Sequence, residues 1–242
     1  MSAREVMTAS IDVDSLLCFR EPFSSFSHLI AAVVFTGMTG LLIRRGRGDF
    51  GRVVALAVFG FTSVLLLVMS SLYHMHWPGS GRDVMERMDV AAIFALIAGT
   101  FTPTFTILYR GPTRLLLLVV VWGAAILGMT FRILYFNSTS GWFGTGLFLA
   151  FGWIGALSAL NLWKRYSFSL IEPLVWGGVA YSCGAVLLQL HWPILIPRVL
   201  GPHELWHVAV LIGLSCHWFF IWHIADRETL DDQRGSTQHA HL

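Results

Sequence analysis

Seven runs of apolar residues follow one another along the chain, each close to the length that a helix needs to cross a bilayer. They fall near 24–43, 52–73, 88–109, 115–136, 142–163, 171–190 and 204–225. About 20 apolar residues span the hydrocarbon core at the rise of an α-helix, so the pattern predicts seven transmembrane helices. The breaks between runs combine charge with turn chemistry, as in Arg44-Arg45-Gly46-Arg47-Gly48-Asp49, Arg110-Gly111-Pro112-Thr113-Arg114 and Lys164-Arg165-Tyr166-Ser167. Trp77, Trp142, Trp163, Trp192 and Trp222 lie near the predicted ends, the depth at which amphipathic rings settle among headgroups.

Composition agrees with this reading. Of 242 residues, 55% are hydrophobic and 12% charged, about half the charged fraction usual in soluble domains. Mean hydropathy is +0.67. The fold class is therefore all-α, a polytopic seven-helix bundle occupying residues 21–225, with a polar tail at 226–242. Residues 1–20 carry Arg4, Glu5, Asp12 and Asp14 among scattered apolar positions; this lacks the uninterrupted apolar core of a signal peptide and reads as a tail or surface helix. His239 and His241, in the polar end, read as solvated. Cys18, Cys183 and Cys216 show no CxxC spacing, so neither a disulfide framework nor a thiolate metal site is expected and the three read as packing residues. A net charge of +2 and the lack of a long basic run argue against nucleic acid as a partner. The compact size and short connections suit a bacterial inner-membrane protein.

Parity then locates the chemistry. Each crossing switches sides, so the end of the second helix and the starts of the third and seventh share one face, here called side A. His74 closes the second run, Asp89 opens the third, and His203 and His207 open the seventh. All four are expected at one depth if helices 2, 3 and 7 are neighbours. Histidines four apart project from the same face of a helix, about one turn apart, and can hold one zinc together. With His74 as a third nitrogen, a tetrahedral zinc keeps one position open for water, the hallmark of a catalytic site. A carboxylate in an apolar helix is costly without a partner. Asp89 is accordingly expected to orient or deprotonate that water, with Ser70, one turn before His74, hydrogen-bonding nearby.

Other readings compete. A single membrane histidine more often bonds across helices or sits at the interface, and a serine commonly bonds its own backbone. His28, His76, His191, His217 and His223 read as interfacial or packing residues, with His28 and His76 on side A as supporting candidates around a metal. His203-Glu204-Leu205-Trp206-His207 is also a literal HExxH, in which Glu204 would be a protease general base. The extended form needs a histidine where Gly213 stands, and the second motif of an intramembrane protease is missing. A channel would need polar residues recurring along a helix. Asp89, Arg132, Asn161 and Gln189 give little of that.

Glu21 with Phe26-Ser27-His28-Leu29, Ser70-Ser71-Leu72-Tyr73-His74, Asp89 with Ile97-Ala98-Gly99-Thr100-Phe101-Thr102-Pro103, and His203-x-x-Trp206-His207 occur in that order. Together they resemble the hemolysin III family, within the progestin and adipoQ receptor superfamily that includes the adiponectin receptors. The resemblance covers about residues 20 to 225 and implies a seven-helix bundle with zinc on His74, His203 and His207, and with Asp89 and Ser70 beside it. Glu204 falls at a position that the family pattern leaves variable. The superfamily's likeness to alkaline ceramidases implies zinc-assisted hydrolysis of a lipid amide or ester, with a lipid or fatty-acyl substrate entering from the bilayer. Pore formation, or a receptor built on a structural zinc, is the alternative that the family name and its receptor relatives imply.

Two lines of inference differ on orientation. Six Lys and Arg residues fall on side A (Arg4, Arg20, Arg82, Arg87, Arg132, Arg198) and ten on side B, so the positive-inside rule puts side B in the cytoplasm. The receptor resemblance implies the reverse. Gly99, Gly123, Gly128, Gly152, Gly155, Gly177, Gly178 and Gly184 suit either close helix contacts or an internal cavity.

Overall fold

The computed structural model describes residues 21–197 and 199–227. Seven helices fill this span: α1 Pro22–Arg45, α2 Phe50–Met75, α3 Ser80–Leu108, α4 Gly111–Leu134, α5 Gly141–Arg165, α6 Phe168–Leu190 and α7 Pro202–Ile224. All seven are long and apolar enough to cross a bilayer, and no strand is present among the described residues. The molecule is a multi-pass integral membrane protein. Cys18, His239, His241, Arg4, Arg20, Arg198 and both terminal tails, apart from Asp226 and Arg227, lie outside the described residues.

Helix starts follow local chemistry. Asp49 accepts a hydrogen bond from the Arg52 amide at 2.7 Å and caps α2, and Ser140 caps α5 through the Phe143 amide. Pro22, Pro112 and Pro202 occupy first-turn positions of α1, α4 and α7, where a missing N–H costs nothing. One boundary departs from the apolar pattern. α3 begins at Ser80, not near residue 88, because the polar stretch Arg82–Arg87 continues the helix above the apolar run. Asp89 therefore does not open its helix but sits about two and a half turns inside it.

α3 is the most buried span and packs on α2, α4, α5 and α7. α1 packs along α2 and closes the ring against α7. On side B that closure is reinforced by Arg45, which pairs with Asp226 at 2.9 Å and lies over the Trp222 ring at 4.5 Å. Leu42, Phe59, Leu67, Leu214 and Phe220 are fully buried between helices. Val33, Phe61, Leu127 and Leu157 face outward, as a lipid-facing surface requires. Hydroxyls in the spans mostly bond back to their own helices, as Thr39 does to Phe35 and Ser63 to Phe59, so that they present no unmet polar group to hydrocarbon.

The glycines divide into two groups. A Cβ on Gly99 would run into the Thr62 side chain, and one on Gly128 into Phe94; these glycines allow close approach of α3 to α2 and α4. Gly177 and Gly184 serve likewise between α6 and α7, while Gly123 has open space. Gly152, Gly155 and Gly178 line a cavity of about 470 Å³ among α3, α5, α6 and α7, and Gly155 also backs onto the Phe101 ring. Cys183 is exposed rather than packed, and Cys216 is half-buried; both are free thiols.

Gly99→Val should lower the thermal midpoint of detergent-solubilised protein by several degrees, because overpacking costs about 1–3 kcal/mol. Gly37→Val, on open lipid-facing surface with no atom within 4 Å of a Cβ, should leave the midpoint nearly unchanged in the same circular-dichroism melt.

Candidate metal centre

Three imidazoles meet at the side A end of the bundle. His74, in the last turn of α2, is 1% exposed, and His207, in the second turn of α7, is 2% exposed. His203 precedes His207 by one turn and is partly buried. The three Nε2 atoms form a triangle, with His74 to His203 at 3.3 Å, His74 to His207 at 3.1 Å and His203 to His207 at 3.1 Å. Tetrahedral zinc with Zn–N bonds of about 2.0–2.1 Å separates its nitrogens by about 3.3 Å, so the triangle has the dimensions of three ligands on one ion.

The opposite side of the rings explains why the lone pairs converge. His74 Nδ1–H donates to Glu21 Oε2 at 2.5 Å. His207 Nδ1 lies 3.0 Å from His28 Nε2, which accepts from it when His207 carries its proton on Nδ1. With protons held on both Nδ1 atoms, the Nε2 atoms of His74 and His207 are left with lone pairs aimed at one buried point, which repel unless a cation lies among them. This is the usual wiring of a ligating histidine, whose far nitrogen is fixed by a carboxylate or another acceptor. The donor set therefore fits a metal.

Glu21 and His28 do this work from α1 and its N-terminal edge. They stand seven residues apart, two turns on one helical face, and reach the two buried ligands separately. Glu21 is doubly engaged, because Arg82 Nη2 of α3 also reaches its Oε1 at 3.4 Å and lies over the Tyr73 ring at 4.2 Å. The Glu21 amide donates to the His74 carbonyl at 3.3 Å, and Ser25 Oγ to the Ser71 carbonyl at 3.3 Å. α1 is thus stitched to the end of α2 beneath the cluster. His28 Nδ1 is buried without a partner, which leaves this ring with a polar atom turned into the bundle.

Asp89 lies beside the group rather than in it: the ligand atoms within 4.8 Å of one another belong to the three histidines. Its carboxyl hydrogen-bonds Ser70 and lies close to His74. Ser70 is buried on α2 one turn before His74, so the pair lines the approach to the cluster. Helices α2 and α7, which carry the ligands, share no extensive backbone packing; the side chains bridge them across α1 and α3. Helix α3 packs on both α2 and α7, and the histidine side chains meet across the remaining gap.

The remaining candidates separate cleanly. Glu204 Oε2 accepts from the Gly201 amide at 2.9 Å and caps its own helix, which takes the carboxylate away from a general-base role. His76 and His223 bond carbonyls one turn back in their own helices, to Leu72 and Phe219. His191 is exposed at the end of α6, and His217 packs against Tyr181 with the rings tilted and their centroids 5.4 Å apart. Of the two supporting candidates on side A, His28 joins the cluster and His76 does not. Glu21 had a sequence signal that residue-type reasoning passed over: it shares the side and the helical face of His28, two turns away.

The chain is similar to proteins of one family along most of its length. The family model described as haemolysin-III related matches residues 17–218. Hemolysin-3 of Bacillus cereus is 30% identical over 204 residues, which cover 82% of this chain and 88% of that protein. The hemolysin-3 homolog of Bacillus subtilis (strain 168) is 29% identical over 192 residues, covering 79% of this chain and 85% of that protein. The human monocyte to macrophage differentiation factor is 22% identical over 223 residues, covering 90% and 89%.

Removing the far-nitrogen partners should loosen metal retention without removing a ligand. Glu21→Ala and His28→Ala should each weaken affinity by about 10–100-fold in chelator competition on purified protein, with His76→Ala unchanged. Equal affinity in all three variants would show that the Nδ1 contacts do not set the ligands.

Proposed function

The chain belongs to the haemolysin III family, and on that footing we propose that it is an integral-membrane, zinc-dependent hydrolase of lipid amides or esters. The observation that carries this reading is the triangle of Nε2 atoms, 3.1–3.3 Å on a side, with a carboxylate and a hydroxyl beside it. Three neutral imidazoles and an open fourth position are the donor set of catalytic rather than structural zinc. His74, His203 and His207 would hold the ion, and when bound it would polarise a carbonyl and lower the pKa of water.

The neighbouring residues divide the remaining work. An oxygen of Asp89 takes the proton of the attacking water. Ser70 Oγ–H positions the substrate carbonyl and donates toward the oxygen on which charge develops. Glu21 and Arg82 keep His74 in the tautomer that leaves Nε2 free, and His28 does the same for His207. The substrate is a lipid with a fatty-acyl chain. The apolar cavity supports this, since its lining includes Ile93, one turn past Asp89, and Trp206, next to His207, and continues to Trp163 and Phe168 toward the opposite face. A chain lying there would present its carbonyl end toward the histidines.

A non-enzymatic reading, in which the ion only secures the bundle of a membrane-state sensor or receptor, draws on the sparse packing between α2 and α7. A pore draws less support. Arg132 bonds Thr139 at 2.5 Å, Gln189 bonds Thr145 at 2.7 Å, and Asn161 is exposed on the outer surface. None of the three lines the cavity.

Mass-spectrometric metal analysis should find near one zinc per chain, lost in His207→Ala and largely kept in Asp89→Ala. Against ceramide-like lipids and their ester analogues, Asp89→Ala should lower kcat by about 10²–10⁴-fold with the fold intact. Chelation that abolishes hydrolysis while the melting profile persists supports the enzyme. Zinc-free folded wild type would sink this reading, and unfolding on chelation with no hydrolysis in the loaded protein would favour the structural ion.

A further inference from the structure

At the face opposite the histidines, a second cavity of about 350 Å³ opens among the start of α2, the end of α3 and the start of α4. Its wall carries three guanidinium side chains, Arg52, Arg110 and Arg114, with Thr106 and one carboxylate, Asp49. We propose that this pocket binds the phosphate of an anionic phospholipid headgroup. The inference is independent of the metal centre.

Charge and geometry point the same way. Asp49 is occupied as the cap of α2, accepting from the Arg52 amide at 2.7 Å. Arg52 is oriented by its own bond to the Arg227 carbonyl at 3.2 Å, which ties the pocket floor to the end of α7. The lining therefore carries three guanidinium groups and one carboxylate, and that carboxylate is engaged at the α2 cap. Guanidinium groups converging on a hollow suit phosphate because each offers paired donors. The first turn of α4 adds to this: no side chain caps it, no acidic residue lies in it, and its N-terminal amides favour an anion. Gly111, at φ +60°, turns the chain sharply enough from Tyr109 to bring Arg110 and Arg114 to one rim.

The surroundings select a lipid over a free ion. Phe50 follows Asp49 and is 85% exposed, while Leu115 and Leu116, which follow Arg114, are 65% and 62% exposed. These apolar side chains face the bilayer where acyl chains leave a headgroup seated in the pocket. A basic hollow between helix ends at the membrane surface is a recognised form of headgroup site.

The test uses the full chain in a neutral detergent, with native mass spectrometry of dioctanoyl phosphatidic acid binding. Wild type should bind one lipid saturably, at least tenfold more tightly than dioctanoyl phosphatidylcholine. Arg110→Gln/Arg114→Gln should weaken phosphatidic acid at least tenfold, and Arg114→Lys should keep most of the affinity. If the double variant does not fold, Arg114→Gln alone, at an exposed position, should still weaken binding severalfold. Unchanged binding in the glutamine variants, or equal binding of phosphatidylcholine, would overturn the proposal. Inorganic phosphate competing as strongly as the lipid would overturn the headgroup assignment and leave a free-anion site.

Discussion

Three imidazole nitrogens brought to one point are the constraint around which the side A end of this bundle is organised. His74 and His207 are buried, and the outer nitrogen of each meets a hydrogen-bonding partner from α1 or its N-terminal edge. That arrangement is unfavourable for neutral rings alone and favourable around a cation. Glu21, His28 and Arg82 make sense only in relation to it: a carboxylate for one ring, an imidazole acceptor for the other, and a guanidinium that holds the carboxylate in place. The approach of α1 to α2 through Ser25 and the Glu21 amide is the backbone counterpart of the same requirement.

The apolar runs made the seven helices legible, because hydrocarbon leaves a chain few alternatives to a helix that satisfies its own backbone. Side A was legible from parity alone, which placed His74, Asp89, His203 and His207 at one face although more than a hundred residues separate Asp89 from His203. Less legible was the start of α3. Arg82–Arg87 has four charged residues in six and so breaks the apolar run, yet it is helical, and this moved Asp89 from a helix end to an interior position. The tie of Glu21 to His74 and of His28 to His207 depends on how α1 leans between α2 and α7, a packing angle that one sequence does not encode in any short pattern. The glycines illustrate the same limit. Gly99 against Thr62 and Gly152 beside a cavity are the same residue type in similar runs, and only the neighbour across the gap distinguishes them.

Glu204 shows how a local pattern can mislead. HExxH fixes the spacing of two histidines on a helix face but says nothing about where the intervening carboxylate turns, and at the first turn of α7 the unsatisfied amide of Gly201 is the nearer demand. The two faces of the protein also contrast in electrostatics. Side A gathers its charges inward around buried rings, with Arg82 and Glu21 neutralising one another, whereas side B leaves arginines arrayed along the helix ends.

The three histidines sit on α2 and α7, with four helices between them in the chain. A nascent chain that has inserted six helices holds His74 and Glu21 at the membrane surface with two of the three donors still unsynthesised, so no intermediate of insertion can retain an ion at this place. If the three histidines hold an ion, α7 must be in place before it can be retained. Because α2 and α7 have so little other contact, an ion held there would report that α7 has docked, and a chain lacking that docking would be distinguishable by its inability to keep it.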